Sequence, residues 1–111
     1  MNVLKGKILD CVIDLRKNSK TFGKIFKIVL SDENCLSLFI PEGFAHAYYS
    51  YDKINIIYYK LTNYYSPKFE SGINLLDKKI RINWPKKKLN ISKKDKKLMS
   101  FDRFCNTLRY L

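Results

Sequence analysis

The run Ile8-Leu9-Asp10-Cys11-Val12-Ile13-Asp14-Leu15 decides how this chain is read. Side chains alternate across a strand, so Leu9, Cys11, Ile13 and Leu15 share one face. Asp10 and Asp14 fall on the other, with Ile8 and Val12. Outward from this strand the same grammar continues. Arg16 to Gly23 is a polar loop, Lys24 to Leu30 a second strand, and Ser31-Asp32-Glu33-Asn34 a turn. Cys35 to Ile40 reads as a further strand, ended by Pro41-Glu42-Gly43. Phe44 to Tyr51 and Ile54 to Leu61 read as the arms of a hairpin about Asp52-Lys53. A two-residue loop pairs 51 with 54, and so sets His46 directly across from Tyr59; a three-residue loop would shift that register.

The rest of the chain changes character. Thr62 to Gly72 is a polar, aromatic loop containing Pro67, and short apolar pieces follow at Ile73 to Leu76 and Ile80 to Trp84, where Pro85 ends them. Ser92-Lys93-Lys94-Asp95 has the spacing of a helix start, with Ser92 able to cap the amide three residues on. Leu98, Phe101, Cys105 and Leu108 then recur at helical spacing. Many short strands separated by turn signals indicate an all-β sandwich or barrel, here with a short C-terminal helix. The expected organisation is a single domain over 1–111, with barrel strands over 1–91 and a helical tail over 92–111.

Composition agrees with one folded core. The chain has 111 residues, 46% of them hydrophobic and 14% aromatic, unlike a disordered chain. A small barrel of this length buries its core only moderately, so pairing with a second subunit would help it. The net charge is +12, from 22 basic and 10 acidic residues. Ten of the basic residues lie between Lys78 and Lys97. Such a run is usually a solvated face, although it also suits phosphate. The aromatics mostly precede it rather than interleave with it, which disfavours a nucleic-acid surface. Cys11, Cys35 and Cys105 match neither a disulfide framework nor a zinc site, and reduced cysteines fit a cytoplasmic protein. No apolar stretch is long enough to span a membrane.

His46 is the only histidine, so a multi-histidine metal centre is excluded and no metal is expected. Taken alone it reads as either a structural or a ligand-contacting residue. Tyr48, Tyr49, Tyr51, Tyr58, Tyr59, Tyr64 and Tyr65 form a dense cluster. Tyrosines usually fill a core or line a sheet face, but they also stack on rings and donate protons.

Several segments, taken in order, resemble the dTDP-4-dehydrorhamnose 3,5-epimerase family. They are Asp14-Leu15-Arg16-Lys17, Ser19-Lys20-Thr21-Phe22-Gly23 and Leu30-Ser31-Asp32-Glu33-Asn34. The most specific are Ile40-Pro41-Glu42-Gly43-Phe44-Ala45-His46 and Tyr59-Lys60-Leu61-Thr62-Asn63-Tyr64-Tyr65-Ser66-Pro67. Ile82-Asn83-Trp84-Pro85 and Ile91-Ser92-Lys93-Lys94-Asp95 continue the order, so the resemblance runs from about Val3 to Asp95. Lys20 and Ala47 depart from it, standing where the family usually has proline and glycine.

The resemblance implies a metal-independent, cupin-like jelly-roll β-barrel without a cofactor. Its substrate would be a dTDP-4-keto-6-deoxyhexose of deoxysugar biosynthesis, dTDP-4-dehydro-6-deoxy-D-glucose. The C4 ketone acidifies the C3 and C5 protons; a base removes one, and an acid returns a proton from the other face. Carried over residue by residue, Tyr59 is the proton donor, a role suited to a side chain whose ordinary pKa is about 10. Tyr65 stacks on thymine, and His46, Glu70 and Lys94 contact substrate. Asp95 orients the base, a histidine in an Arg-Gly-Leu-His motif that the family carries upstream of the segment found here. That motif does not occur in this sequence. The expected partner is therefore a homodimer mate, or a chain supplying the N-terminal strands. The other readings are a non-catalytic nucleotide-sugar-binding cupin and, less favoured, a nucleic-acid binder.

Overall fold

The computed structural model describes residues 1–60, 72–86 and 89–108. Its elements are β1 (Asn2–Lys5), β2 (Lys7–Asp14), β3 (Ile25–Ser31), β4 (Phe44–Ser50), β5 (Ile56–Tyr58), α1 (Lys93–Lys96) and α2 (Phe101–Leu108). They fall in two compact units, Met1–Ser66 and Pro67–Leu111.

In the first unit β2 is the centre of a three-stranded antiparallel sheet, ordered β3-β2-β4. The opening run thus forms the strand expected, but it is buried on both faces. Ile8 is 0% exposed, and Cys11, Val12 and Ile13 are buried with it. Ile8 sits opposite Leu30 on β3 and Ser50 on β4, while Val12 sits opposite Phe26 and His46. β1 and β5 form a separate two-stranded sheet, with Val3 paired to Ile57. The two sheets meet in a core of Val3, Ile8 and Leu30, joined by Met1, Ile28, Leu38 and Ile57.

The chain passes from β1 to β2 through Gly6, whose φ of +97° lies in the left-handed region where side chains are strained. A Cβ there would also stand 2.8 Å from the Ile54 carbonyl oxygen. The Gly6 amide donates to Asp32 Oδ2 at 3.0 Å, and the Lys7 amide donates to Asn55 Oδ1 at 3.0 Å. β1, which the sequence reading did not distinguish, is held at its start as well. The Met1 ammonium donates to the Leu38 carbonyl, and the Leu38 amide returns a bond to the Met1 carbonyl, both at 2.8 Å.

Two expectations are corrected. The arms 44–51 and 54–61 do not pair as a hairpin: β4 pairs with β2, and β5 pairs with β1 in the other sheet. The Asp52-Lys53 turn is used to change sheets, because the free edge of β2 takes β4 and Asn55 ties the following residues to Lys7. His46 and Tyr59 are therefore not cross-strand neighbours. Nor is Cys35 to Ile40 a strand. Asn34 Oδ1 accepts from the Ser31 and Leu36 amides, Cys35 has φ of +53°, and the pairing in this stretch is limited to the bridge Ser37 to Asn2 and the neighbouring bonds between Leu38 and Met1. A side chain that binds its own backbone competes with a ladder, and here it wins.

In the second unit the helical tail is present as two short helices. Ser92 caps α1, its Oγ accepting from the Asp95 amide at 3.1 Å, as its spacing implied. Ile73 then bridges Met99, which interrupts the helical run, and Ser100 Oγ accepts from the Arg103 amide as α2 begins. Asp77 Oδ2 accepts from the Phe101 amide at 2.9 Å, and Lys79 meets Asp102 at 2.8 Å. Among the described residues no helix is long and apolar enough to cross a membrane.

Candidate functional site

The residues singled out from the sequence divide between the two units. His46 lies on β4 and Tyr59 directly follows β5, both in the first unit. Lys94 and Asp95 lie on α1 in the second. Tyr65 and Glu70 fall outside the described residues.

Register places His46 on the face of β4 that continues the face of β2 carrying Ile8, Asp10 and Val12. That face packs, through Ile8, against the sheet that contributes Val3 and Ile57. His46 lies in one sheet and Tyr59 directly follows a strand of the other, so the two do not share a hairpin. Both are open to a ligand: the His46 side chain is 40% exposed, and Tyr59 is 58% exposed. Tyr48 and Phe26 on the same face are also exposed, leaving an apolar and aromatic surface around the one imidazole.

Beneath His46 lies a residue that the sequence alone only placed on the second face of the strand. Asp10 is 0% exposed, and neither carboxylate oxygen has a hydrogen-bond partner among the described residues. Its cross-strand neighbours are Ile28 and Tyr48. Its Oδ1 lies 3.9 Å from His46 Nδ1. Burial pushes the Asp10 carboxyl above its ordinary pKa, while the nearby His46 and the Cys11 backbone amide act in the opposite direction. The signal available in the sequence was a carboxylate at the middle of a strand with apolar residues on both faces.

Cys11, next along β2, is a poor nucleophile: burial pushes its thiol up to about 11. No cluster of three or more histidine, cysteine or acidic side chains suited to a metal ion occurs among the described residues.

The approach to β4 is fixed by a second buried carboxylate. Asp14 accepts from Arg16 Nε and Nη2 at 3.0 Å each, from Ser19 Oγ at 2.6 Å, and from the Thr21 hydroxyl. These bonds hold its carboxyl well below the usual carboxylate range, the Arg16 bond contributing most. Arg16 in turn lies over the Phe44 ring at 4.8 Å, and the Leu15 amide donates to the Gly43 carbonyl at 2.8 Å. Gly43 has φ of +87°, and a Cβ there would meet Arg16 Cγ at 2.6 Å. The loop residues Asp14, Arg16, Ser19 and Thr21, with Gly43 and Phe44, therefore form one network that sets the start of the strand bearing His46.

On α1, Asp95 is half-buried and Lys94 is exposed. The Asp95 amide is used by the Ser92 cap, which leaves its carboxylate outside that capping bond.

Comparison with known proteins points to one family. Residues 1–103 match the sequence profile of dTDP-4-dehydrorhamnose 3,5-epimerase. The enzyme of that name from Methanothermobacter thermautotrophicus is 43% identical over 99 residues, covering 86% of this chain and 54% of the relative. Among solved structures, dTDP-4-dehydrorhamnose 3,5-epimerase from Bacillus anthracis, with TDP and PPi bound, superposes with a TM-score of 0.88 at 37% identity, over 90% of this chain and 57% of that one. The Legionella pneumophila dTDP-6-deoxy-D-glucose-3,5-epimerase, in complex with dTDP-4-keto-L-rhamnose, gives 0.86 at 36% identity, over 91% and 54%. The chain spans about half the length of the curated relatives it matches. The fold is accordingly mostly β and of the cupin-like jelly-roll type.

Proposed function

The chain belongs to the dTDP-4-dehydrorhamnose 3,5-epimerase family, and we propose that it supplies the substrate-holding and proton-donating part of an epimerase acting on dTDP-4-dehydro-6-deoxy-D-glucose. The observation that supports this reading is that the first unit carries both His46, on β4 opposite Val12, and Tyr59, directly after β5, each of them exposed. A keto-sugar held by this unit would have an imidazole and a phenol available as hydrogen-bonding groups. Family members in complex with TDP and PPi, and with dTDP-4-keto-L-rhamnose, support the choice of ligand class.

The chemistry follows from the ketone. With the C4 carbonyl polarised, the C3 and C5 protons are acidic, and removal of one gives an enolate. Return of a proton from the opposite face inverts the centre. Tyr59 is the donor in this scheme. His46 takes the family's role of a substrate contact in the first unit; Lys94 in the second, and Tyr65 and Glu70 outside the described residues, carry substrate-contact roles by the same resemblance, Lys94 through a charge-assisted bond. Asp95 orients the base and keeps its tautomer, the role an acid plays beside a catalytic histidine. The base itself is a histidine not contained in residues 1–111, brought by further chain or by a partner. The reading includes a paired assembly, as a homodimer or with a chain supplying the N-terminal strands, and a cytoplasmic setting in dTDP-rhamnose and O-antigen precursor synthesis.

The test uses dTDP-4-keto-6-deoxyglucose in deuterated water, with deuterium at C3 and C5 read by NMR. Residues 1–111 joined to a relative's segment bearing the Arg-Gly-Leu-His motif should incorporate solvent deuterium and invert. The same fusion carrying Tyr59→Phe should invert far more slowly. A folded fusion that binds dTDP yet leaves C3 and C5 fully protonated would overturn the reading.

A further inference from the structure

An ionisable group with no solvent and no hydrogen bond is costly, so a buried carboxylate with two bare oxygens marks a position retained for something other than stability. Asp10 is such a group apart from the Cys11 backbone amide, which favours its charged form. Its neighbours narrow what it serves. Ile28, opposite on β3, has nothing to donate, and Tyr48, opposite on β4, is 49% exposed. The Met1 ammonium adds favourable charge from a distance but is bonded to the Leu38 carbonyl. Among the described residues, the His46 ring approaches the carboxylate, with Nδ1 at 3.9 Å from Oδ1. That is longer than a hydrogen bond and short enough to become one by a small turn of the ring about χ2.

We propose that Asp10 is a positioning residue of this site, accepting the Nδ1 proton of His46 and so aiming Nε2 at the ligand. A histidine presents two different nitrogens, and which one carries the proton is decided by the partner of the other. A free imidazole in water favours the Nε2–H form. Asp10 reverses that preference, because only an Nδ1–H satisfies its buried oxygen. The neutral ring then offers the Nε2 lone pair outward, as an acceptor for a sugar hydroxyl. The pairing stands on the geometry of the first unit alone; the identity of the ligand at Nε2 rests on the function proposed above.

His46 is the sole histidine, so a long-range proton–nitrogen correlation spectrum of the whole chain shows one imidazole. Recorded above the histidine titration range, it should show Nδ1–H as the dominant form. Asp10→Asn should shift the ring to Nε2–H, since a carboxamide can turn its NH2 toward Nδ1. Nε2–H dominance in the unaltered protein, or an Nδ1–H pattern that persists in Asp10→Asn, would overturn the proposal. If Asp10→Asn fails to fold, the spectrum of the unaltered protein decides alone. Added dTDP-4-keto-6-deoxyglucose should move the Nε2 signal more than Nδ1. If no nucleotide sugar binds, the functional reading fails while the tautomer result still stands or falls by itself.

Discussion

The Arg16 guanidinium meets the Asp14 carboxylate through two parallel hydrogen bonds, Nε to Oδ1 and Nη2 to Oδ2, each 3.0 Å long. With Ser19 and Thr21 added, the carboxylate is saturated in its charged form. Its folded pKa lies below its unfolded one. The stabilisation is therefore present above the ordinary aspartate value and is lost as pH falls through and below it. Urea unfolding of the unaltered protein should show stability falling from pH 6 to pH 3. Asp14→Asn should be less stable at neutral pH and show a shallower acid loss. Equal pH slopes for the two proteins would contradict this role.

Asp10 predicts the opposite sign. Its folded pKa is raised by burial, so whatever stability it contributes is greatest when it is protonated and declines as pH rises through the folded value. Asp10→Asn should raise the urea midpoint at pH 7, and the gain should shrink toward pH 3. A midpoint that drops at neutral pH would show that the carboxylate is stabilising and that its oxygens find partners. The combination predicted, a more stable variant whose His46 has lost its tautomer preference, is the trade between stability and function expected of a site residue.

Gly43 ties the Asp14 network to the start of the strand that bears His46. Because its φ is +87° and a Cβ would strike Arg16 Cγ, Gly43→Ala should destabilise by about 1–2 kcal/mol from backbone strain alone. It should also shift Arg16 off the Phe44 ring, visible as a change in the Phe44 aromatic resonances. An alanine variant with unchanged stability and unchanged ring signals would remove Gly43 from this account.

Much of the first unit was legible in the sequence because strand alternation and turn residues are local. The ranges of β2, β3 and β4 follow from them within a residue or so. What was not legible is pairing. The Asp52-Lys53 turn satisfies the local requirements of a hairpin, yet β5 goes to β1, a choice made by Gly6 and Asn55 and by the free edge of β2. Asn34 shows the same limit, since a side-chain bond to two amides undid a stretch with strand composition. Of the candidate site, His46 and Tyr59 were found through the resemblance, although their relation across two sheets was not. Asp10 was missed because a charged residue in a strand suggests a solvent face until both faces are known to be covered. Tyr65 and Glu70, by contrast, lie outside the described residues.

The central claim is that the face bearing His46 receives the sugar of a dTDP-linked 4-keto-hexose. The direct measurement is a titration of dTDP-4-keto-6-deoxyglucose into residues 1–111, followed on the His46 ring signals and compared with dTDP alone. The account predicts a saturable shift of His46 with the nucleotide sugar and a markedly smaller one with dTDP. His46 signals that stay fixed while the sugar nucleotide saturates the protein, or fixed throughout because nothing binds, would contradict it.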